Sequence, residues 1–61
     1  MNGAAAILQA AGDGDVAVVR RLLSDDPRLV RASDDHLKTP LHWAAEHDRQ
    51  DVAETLLQAG A

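Results

Sequence analysis

Two stretches of the chain carry the same arrangement of apolar and polar positions. In residues 15–24 the apolar side chains fall at i, i+1, i+4 and i+5, and they are Val18, Val19, Leu22 and Leu23. Residues 50–59 repeat the arrangement with Val52, Ala53, Leu56 and Leu57. Because a helix turns once every 3.6 residues, each set forms one apolar stripe. The pattern predicts two amphipathic helices, over residues 15–24 and 50–59.

A shorter apolar segment precedes each of these helices, at residues 4–11 and 40–47. Turn-forming residues separate the members of each pair, at 12–14 and at Asp48-Arg49. With residues 10–23 laid on 44–57, Ala10-Ala11 coincides with Ala44-Ala45, and both stripes coincide at an offset of 34 residues. The chain is therefore predicted to be all-α, with one helix–turn–helix unit over residues 1–33 and a second over 34–61.

The segment between the two units, residues 25–38, is polar and rich in turn formers. We expect an extended, finger-like connection with Leu29 or Val30 against the helices. The third helix has the clearest start, because the Thr39 hydroxyl can cap it and Pro40 suits its first position. Gly60 is placed to end the fourth helix.

Charge and composition exclude several classes of function. Ten acidic residues against six basic ones give a net charge of −4, and Trp43 is the only aromatic residue. A nucleic-acid binder needs a basic stripe or several stacking aromatics, so no nucleic-acid partner is expected. The chain has no cysteine. Its longest run without a charged or strongly polar side chain, residues 3–8, is too short to span a bilayer. We expect a soluble, cytoplasmic protein.

The second unit resembles an ankyrin repeat. It contains the tetrapeptide Thr-Pro-Leu-His at residues 39–42, followed by Ala44-Ala45 and by a closing Gly60-Ala61. Asp34 matches the acidic residue that opens such a repeat. The first unit resembles an N-terminal capping repeat, which lacks that tetrapeptide. The resemblance implies a stack of four short helices with one finger-like connection, acting as a protein–protein interaction scaffold.

Three features depart from the ankyrin pattern. Leu37 occupies the place of the family's loop glycine, and we expect the turn of the finger to be distorted because leucine resists a left-handed backbone. Asp48-Arg49 replaces a Gly-His pair, and Asp48 is expected to cap the next helix. The offset of 34 exceeds the family's usual period of 33, which places an extra residue in residues 25–31.

The resemblance also implies which residues bind a partner. Ankyrin proteins bind through the finger tips and the exposed positions of the inner helices, which here are Asp35, His36, Lys38, Glu46 and His47. The equivalent positions in the first unit are Gly12 and Asp13. The partner is expected to be a protein, and the acidic balance favours a neutral or basic one.

The histidines and acids do not form the patterns of a catalytic or metal site. His42 and His47 are five residues apart, whereas helical metal pairs use spacings of three or four. His36 lies on the finger, and Glu46 has no accompanying nucleophile. His42 is better explained as a residue that hydrogen-bonds exposed backbone amides. The paired aspartates lack the calcium-loop pattern. We therefore expect no enzyme, no metal and no cofactor.

Trp43 is expected to pack between repeats or to anchor a contact with a partner. A stack of two repeats is short, because about three are needed to bury a continuous core. We therefore expect an apolar face left bare for self-association, formed by Leu41, Trp43, Val52 and Leu56. The alternative function is that of a truncated or engineered repeat pair whose main property is homo-oligomeric assembly.

Overall fold

The computed structural model describes residues 3–61. Over that range the chain forms four α-helices and one short 3₁₀-helix, in the order α1 (Gly3–Asp13), α2 (Val16–Asp25), 3₁₀ (Pro27–Arg31), α3 (Pro40–Glu46) and α4 (Gln50–Gln58). The expected all-α fold is confirmed. The first two residues of the predicted 1–33 unit lie outside the described range.

The helices form two layers around one core. The inner helices α1 and α3 pack against each other, and each also packs against the outer helix that follows it, α2 or α4. The outer helices contact each other as well. The buried apolar core draws on every helix and consists of Ile7, Ala10, Ala11, Val19, Leu23, Val30, Ala44, Val52 and Leu56.

The two amphipathic stripes form the outer side of this core. Each stripe buries its i, i+4 pair, Val19 with Leu23 in α2 and Val52 with Leu56 in α4. Leu22 and Ala53 are half-buried against the core, while Val18 and Leu57 turn toward solvent, with 39% and 56% of their surface exposed. The predicted periodicity was therefore right, while only half of each stripe is buried.

Helices α1 and α3 end in the same hydrogen-bonded turn, 34 residues apart. At the end of α1, Gly14 N–H donates to Ala11 O (3.3 Å) and Asp15 N–H donates to Ala10 O (3.0 Å). Asp48 and Arg49 make the equivalent bonds to Ala45 and Ala44, at 3.3 and 2.8 Å. This is the Schellman turn, which needs a left-handed residue. Gly14 has φ 78° and Asp48 has φ 56°.

That geometry corrects two expectations. Asp48 was expected to cap α4, but it occupies the left-handed position after α3, and the residue preceding α4 is Arg49, whose side chain makes no capping bond. The first turn was expected at residues 12–14, whereas α1 continues through Asp13. Gly60 ends α4 as expected, with φ 101° and the same turn.

The connection between the two units is only partly extended. Residues Pro27–Arg31 form a 3₁₀-helix, because Pro27 fits its first turn and the Asp26 carboxylate accepts from Arg28 N–H at 3.1 Å. The expectation of a wholly extended segment was wrong there. Val30 is buried and Leu29 half-buried, so the expected contact of this segment with the helices is confirmed.

Candidate protein-binding surface

The finger, residues 32–39, is built around the side chain of Asp34. Its Oδ1 accepts from His36 N–H at 2.8 Å and from Lys38 N–H at 3.0 Å. Two backbone bonds close the same turn, from Leu37 N–H to Asp34 O (3.0 Å) and from Asp34 N–H to Lys38 O (3.1 Å). Four hydrogen bonds within five residues hold the finger tip in one conformation, and the Asp34 side chain is the acceptor of its turn.

Leu37 stands at the tip with a left-handed backbone, φ 62°, and with 78% of its surface exposed. The expected distortion does not occur, because the turn keeps the left-handed geometry despite the leucine. The conformation is unfavourable for a residue with a Cβ atom. The finger therefore presents a large apolar side chain on a strained backbone.

Asp34 also ties the finger to helix α3. Its Oδ2 accepts from Trp43 Nε1–H at 3.2 Å. The amide of Lys38, and then those of His36 and the Trp43 indole, hold the pKa of Asp34 below its ordinary value, although desolvation acts in the opposite direction. The carboxylate therefore stays ionised near neutral pH, where it can accept all three bonds.

The start of α3 is capped as the sequence predicts. Thr39 Oγ1 accepts from His42 N–H at 3.4 Å, and His42 Nδ1 accepts from Thr39 N–H at 3.2 Å. The hydroxyl and the ring nitrogen are themselves 2.7 Å apart. The side chain of each residue thus accepts the backbone N–H of the other, which is the capping-box arrangement. His42 stabilises the helix end, and its ring hydrogen-bonds the capping residue of its own helix.

Two of the predicted binding residues form an ion pair. Lys38 Nζ lies 2.7 Å from Glu46 Oε1, and both side chains remain about half exposed. The Glu46 carboxylate raises the pKa of Lys38, and the Lys38 ammonium lowers the pKa of Glu46. Both shifts arise because the hydrogen-bonded pair favours the charged form of each side chain. The pair is a second link between finger and α3, and it neutralises both charges locally.

Trp43 packs within the chain, against α1. Its ring stacks on His47, with centroids 5.9 Å apart and planes inclined by 25°. A Cβ atom added to Gly12 would lie 3.0 Å from Trp43 Cε3 and 3.4 Å from His47 Cδ2. Gly12 was expected to be an exposed binding position, and this was wrong, because it is buried beneath these two rings.

Sequence reasoning did not single out Arg49. Its Nε donates to Gly12 O at 3.0 Å, which joins residues 37 positions apart. Its aliphatic stem crosses Gly14, where an added Cβ would lie 2.9 Å from Arg49 Cδ. A guanidinium at a helix C-terminus satisfies a carbonyl that the helix leaves free. Arg49 thus links the two repeats. Its neighbours in the sequence do not indicate this role, because they show only a basic residue after a turn.

Two adjoining hollows lie between α1, the finger and α3, and we call them together the inner groove. The larger, of about 540 Å³, is lined by Ala5, Leu8, Gln9, Gly12, Asp13, Asp34, Trp43, His47 and Arg49. The smaller, of about 230 Å³, is lined by Ala4, Ala5, Leu8, Ser33, Asp34 and Asp35. The structure therefore brings Asp13, Asp35 and His47 to one surface.

The expected self-association face is not formed as predicted. Val52 and Leu56 are 0% exposed because they pack into the chain's own core, while Leu41 and Trp43 are half-buried. The most exposed large apolar residues among the described ones are Leu37 and Leu57. The prediction for the apolar stripe of α4 was thus wrong, because Val52 and Leu56 pack inside the chain and are not left bare for a second copy.

The remaining candidates lie at the surface. Asp35, His36 and His47 are exposed. Within residues 3–61, no three or more His, Cys, Asp or Glu side chains are grouped so that they could hold a metal ion. None of the helices in the same range is long and apolar enough to cross a membrane.

Comparison with known proteins places these features in a family. The family model described as ankyrin repeats (3 copies) matches residues 1–61. The serine/threonine-protein kinase VIK of Arabidopsis thaliana is 49% identical over 55 residues, covering 90% of the chain and 13% of the kinase. The palmitoyltransferase akr1 of Emericella nidulans is 34% identical over 55 residues, covering 90% of the chain and 8% of that protein.

The human transient receptor potential cation channel subfamily A member 1 is 43% identical over 54 residues, covering 85% of the chain and 5% of the channel. The chain thus spans only 5% to 13% of the length of these three relatives. No solved structure shows a significant match. The match over residues 1–61, the capped Thr-Pro-Leu-His start and the turn repeated after 34 residues agree: the chain belongs to the ankyrin repeat family.

Proposed function

We propose that this chain binds a protein partner through the finger tip and the inner groove. Ankyrin repeats generally mediate protein–protein interaction, and the proposal assigns that role to a particular surface. The observation that carries it is the double link between finger and α3, Asp34 with Trp43 and Lys38 with Glu46. A surface held in one conformation loses little entropy on binding.

The surface combines exposed polar groups with apolar contact area. Asp35, His36 and His47 are exposed at its edges, while Trp43 is half-buried in its floor. Binding hot spots often have an aromatic residue in a desolvated centre with polar groups around it. The arrangement supports recognition and assigns no reaction to this chain. Its cytoplasmic location stays a prediction.

The test compares two triple-alanine variants against a partner captured by the chain and then purified. The first replaces Asp35, His36 and Lys38 on the finger, and the control replaces the exposed outer residues Arg20, Ser24 and Glu54. Titration calorimetry should show about a tenfold or greater loss of affinity for the finger variant only. Equal affinity of both variants would disprove the proposed surface, provided that circular dichroism shows both are folded.

A second proposal is self-association through exposed leucines. It is supported by Leu57 and Leu37, which are 56% and 78% exposed, because apolar side chains favour contact over hydration. Sedimentation equilibrium at tens of micromolar should detect a dimer or larger species. Leu57→Gln should return it to a monomer, whereas the matched surface change Ala17→Gln should not. A wild-type monomer at these concentrations would refute this proposal.

A further inference from the structure

The inner groove has an excess of carboxylates. Its two hollows are lined by Asp13, Asp34 and Asp35, and by a single guanidinium from Arg49. The Arg49 Nε is already engaged by Gly12 O at 3.0 Å. At the edge, the ammonium of Lys38 is neutralised by Glu46 at 2.7 Å. The groove therefore presents a net negative charge to anything that enters it.

Two of these carboxylates are available to a partner. Asp13 and Asp35 are exposed, and their carboxylates make no hydrogen bond or ion pair with other side chains or backbone groups of residues 3–61. Asp34 differs, because its oxygens already accept three N–H groups. Asp13 also lies in the last turn of α1, where the helix dipole adds negative potential. Cations are thus favoured at the two ends of the groove.

The basic residues are mostly placed elsewhere. Four of the six lie within residues 20–31, and all four, Arg20, Arg21, Arg28 and Arg31, are exposed there. None of them lines either hollow of the groove. These four arginines therefore do not offset the negative charge of the groove.

Between the two free carboxylates the floor is apolar. Leu8 is buried and Trp43 half-buried, and Gly12 keeps α1 close to the indole ring. Along α1 the lining of the groove runs from Ala5, which borders both hollows, to Asp13, which borders the larger one. The rise of 1.5 Å per residue makes this stretch of helix about 12 Å long.

We propose that the inner groove binds an extended peptide segment in which an apolar side chain lies between two cationic ones. Side chains on one face of a strand alternate every second residue, with a rise of about 3.3 Å per residue. Cations at i and i+4 are then about 13 Å apart, which matches the length of the groove. The apolar residue at i+2 contacts Trp43 and Leu8. This inference rests on the proposed function and specifies the chemistry of the partner.

The probes are two end-blocked peptides that differ only in charge. One is Leu-Ser-Lys-Ser-Leu-Ser-Lys-Ser-Leu, and the other carries glutamate at both lysine positions. Trp43 is the only tryptophan, and the chain has no tyrosine or phenylalanine, so protein fluorescence reports the groove directly. We expect the lysine peptide to shift Trp43 emission saturably and to bind about tenfold more tightly than the glutamate peptide. Added salt should reduce that difference.

Matched variants locate the site. Ala5→Arg fills the groove from an exposed position of α1, and Ala17→Arg makes the same change on an exposed position of α2 that does not line the groove. Ala5→Arg should abolish binding of the lysine peptide, and Ala17→Arg should leave it unchanged. Asp13→Asn and Asp35→Asn should each weaken binding about two- to threefold, with Asp25→Asn as the neutral control.

The outcomes separate this inference from the proposed function. Equal or tighter binding of the glutamate peptide would overturn the charge preference, although the groove would still be a binding surface. Unchanged binding to Ala5→Arg, or no response of Trp43 to either peptide, would overturn the groove as the peptide site. The proposed function fails by a different measurement, namely an unaltered affinity of the purified partner for the finger triple variant.

Discussion

Replacing Leu37 with glycine should stabilise the protein. The backbone at this position has φ 62°, a conformation that costs a residue with a Cβ atom about 1–2 kcal/mol. Glycine avoids that cost. The hydrogen bond from the residue's N–H to Asp34 O at 3.0 Å is a backbone bond, so Leu37→Gly retains it.

Two smaller effects oppose the gain. Glycine increases the conformational entropy of the unfolded chain, at a cost of about 0.5–1 kcal/mol. Removal of the side chain also loses a little burial, but a leucine that is 78% exposed contributes only about 0.3–0.6 kcal/mol. With mid-range values the net stabilisation is about 0.3 kcal/mol, which raises the Tm of a domain of this size by about 2 °C.

The assay is thermal and urea unfolding, followed by circular dichroism and by Trp43 fluorescence. Asp35→Gly is the matched control, because Asp35 lies two residues before Leu37 in the finger and does not have a positive φ. We expect Asp35→Gly to destabilise the chain while Leu37→Gly raises Tm with an unchanged m-value. If Leu37→Gly lowered Tm by as much as the control, the strain at the finger tip would not exist in solution.

Three further changes test the links between finger, helices and repeats. Thr39→Ala should lower the free energy of unfolding by about 1 kcal/mol, because it removes the cap of α3. Thr39→Ser keeps the capping hydroxyl and should keep most of that free energy in urea unfolding. Gly14→Ala should lower stability by more than Gly60→Ala, because both have positive φ but only Gly14 contacts the Arg49 side chain; equal losses in thermal melts would discount that contact. Because the pKa of Asp34 is lowered in the folded state, its stabilisation is present above about pH 4 and is lost as the pH falls further. Asp34→Asn should therefore be less stable at pH 7 and show a shallower loss of stability below pH 4 in pH-dependent urea titrations, and an unchanged slope would contradict this assignment.

Local chemistry is what made the second repeat predictable. The cap of α3 depends on Thr39 and Pro40 and on a histidine three residues later, so every partner lies within one turn. Gly60 ends α4 by the same kind of short-range rule. The 3₁₀-helix had a local signal too, since Asp26 followed by Pro27 can cap and start a helix as well as end one. Only packing decides between those two outcomes.

Several of the incorrect expectations concern contacts between distant residues. Periodicity places Val52 and Leu56 on one stripe of α4, but it does not specify whether that stripe meets the same chain or another one. Gly12 resembles a helix breaker locally, yet α1 continues through it, and the glycine lets Trp43 pack closely, because an added Cβ would lie 3.0 Å from Trp43 Cε3. The bond from Arg49 to Gly12 O spans 37 residues, and no pattern within either repeat indicates it.

Leu37 is, of the described residues with a left-handed backbone, the one whose side chain suits that conformation least. Gly14 and Gly60 suit that backbone, and the short polar side chain of Asp48 tolerates it. Leu37 has neither advantage, and with 78% of its surface exposed it gains little from packing within residues 3–61. Strain that no internal contact offsets is typical of residues that act on something outside the chain. Under the proposed function, the turn around Asp34 would hold an apolar side chain close to Asp35, where the partner is proposed to bind.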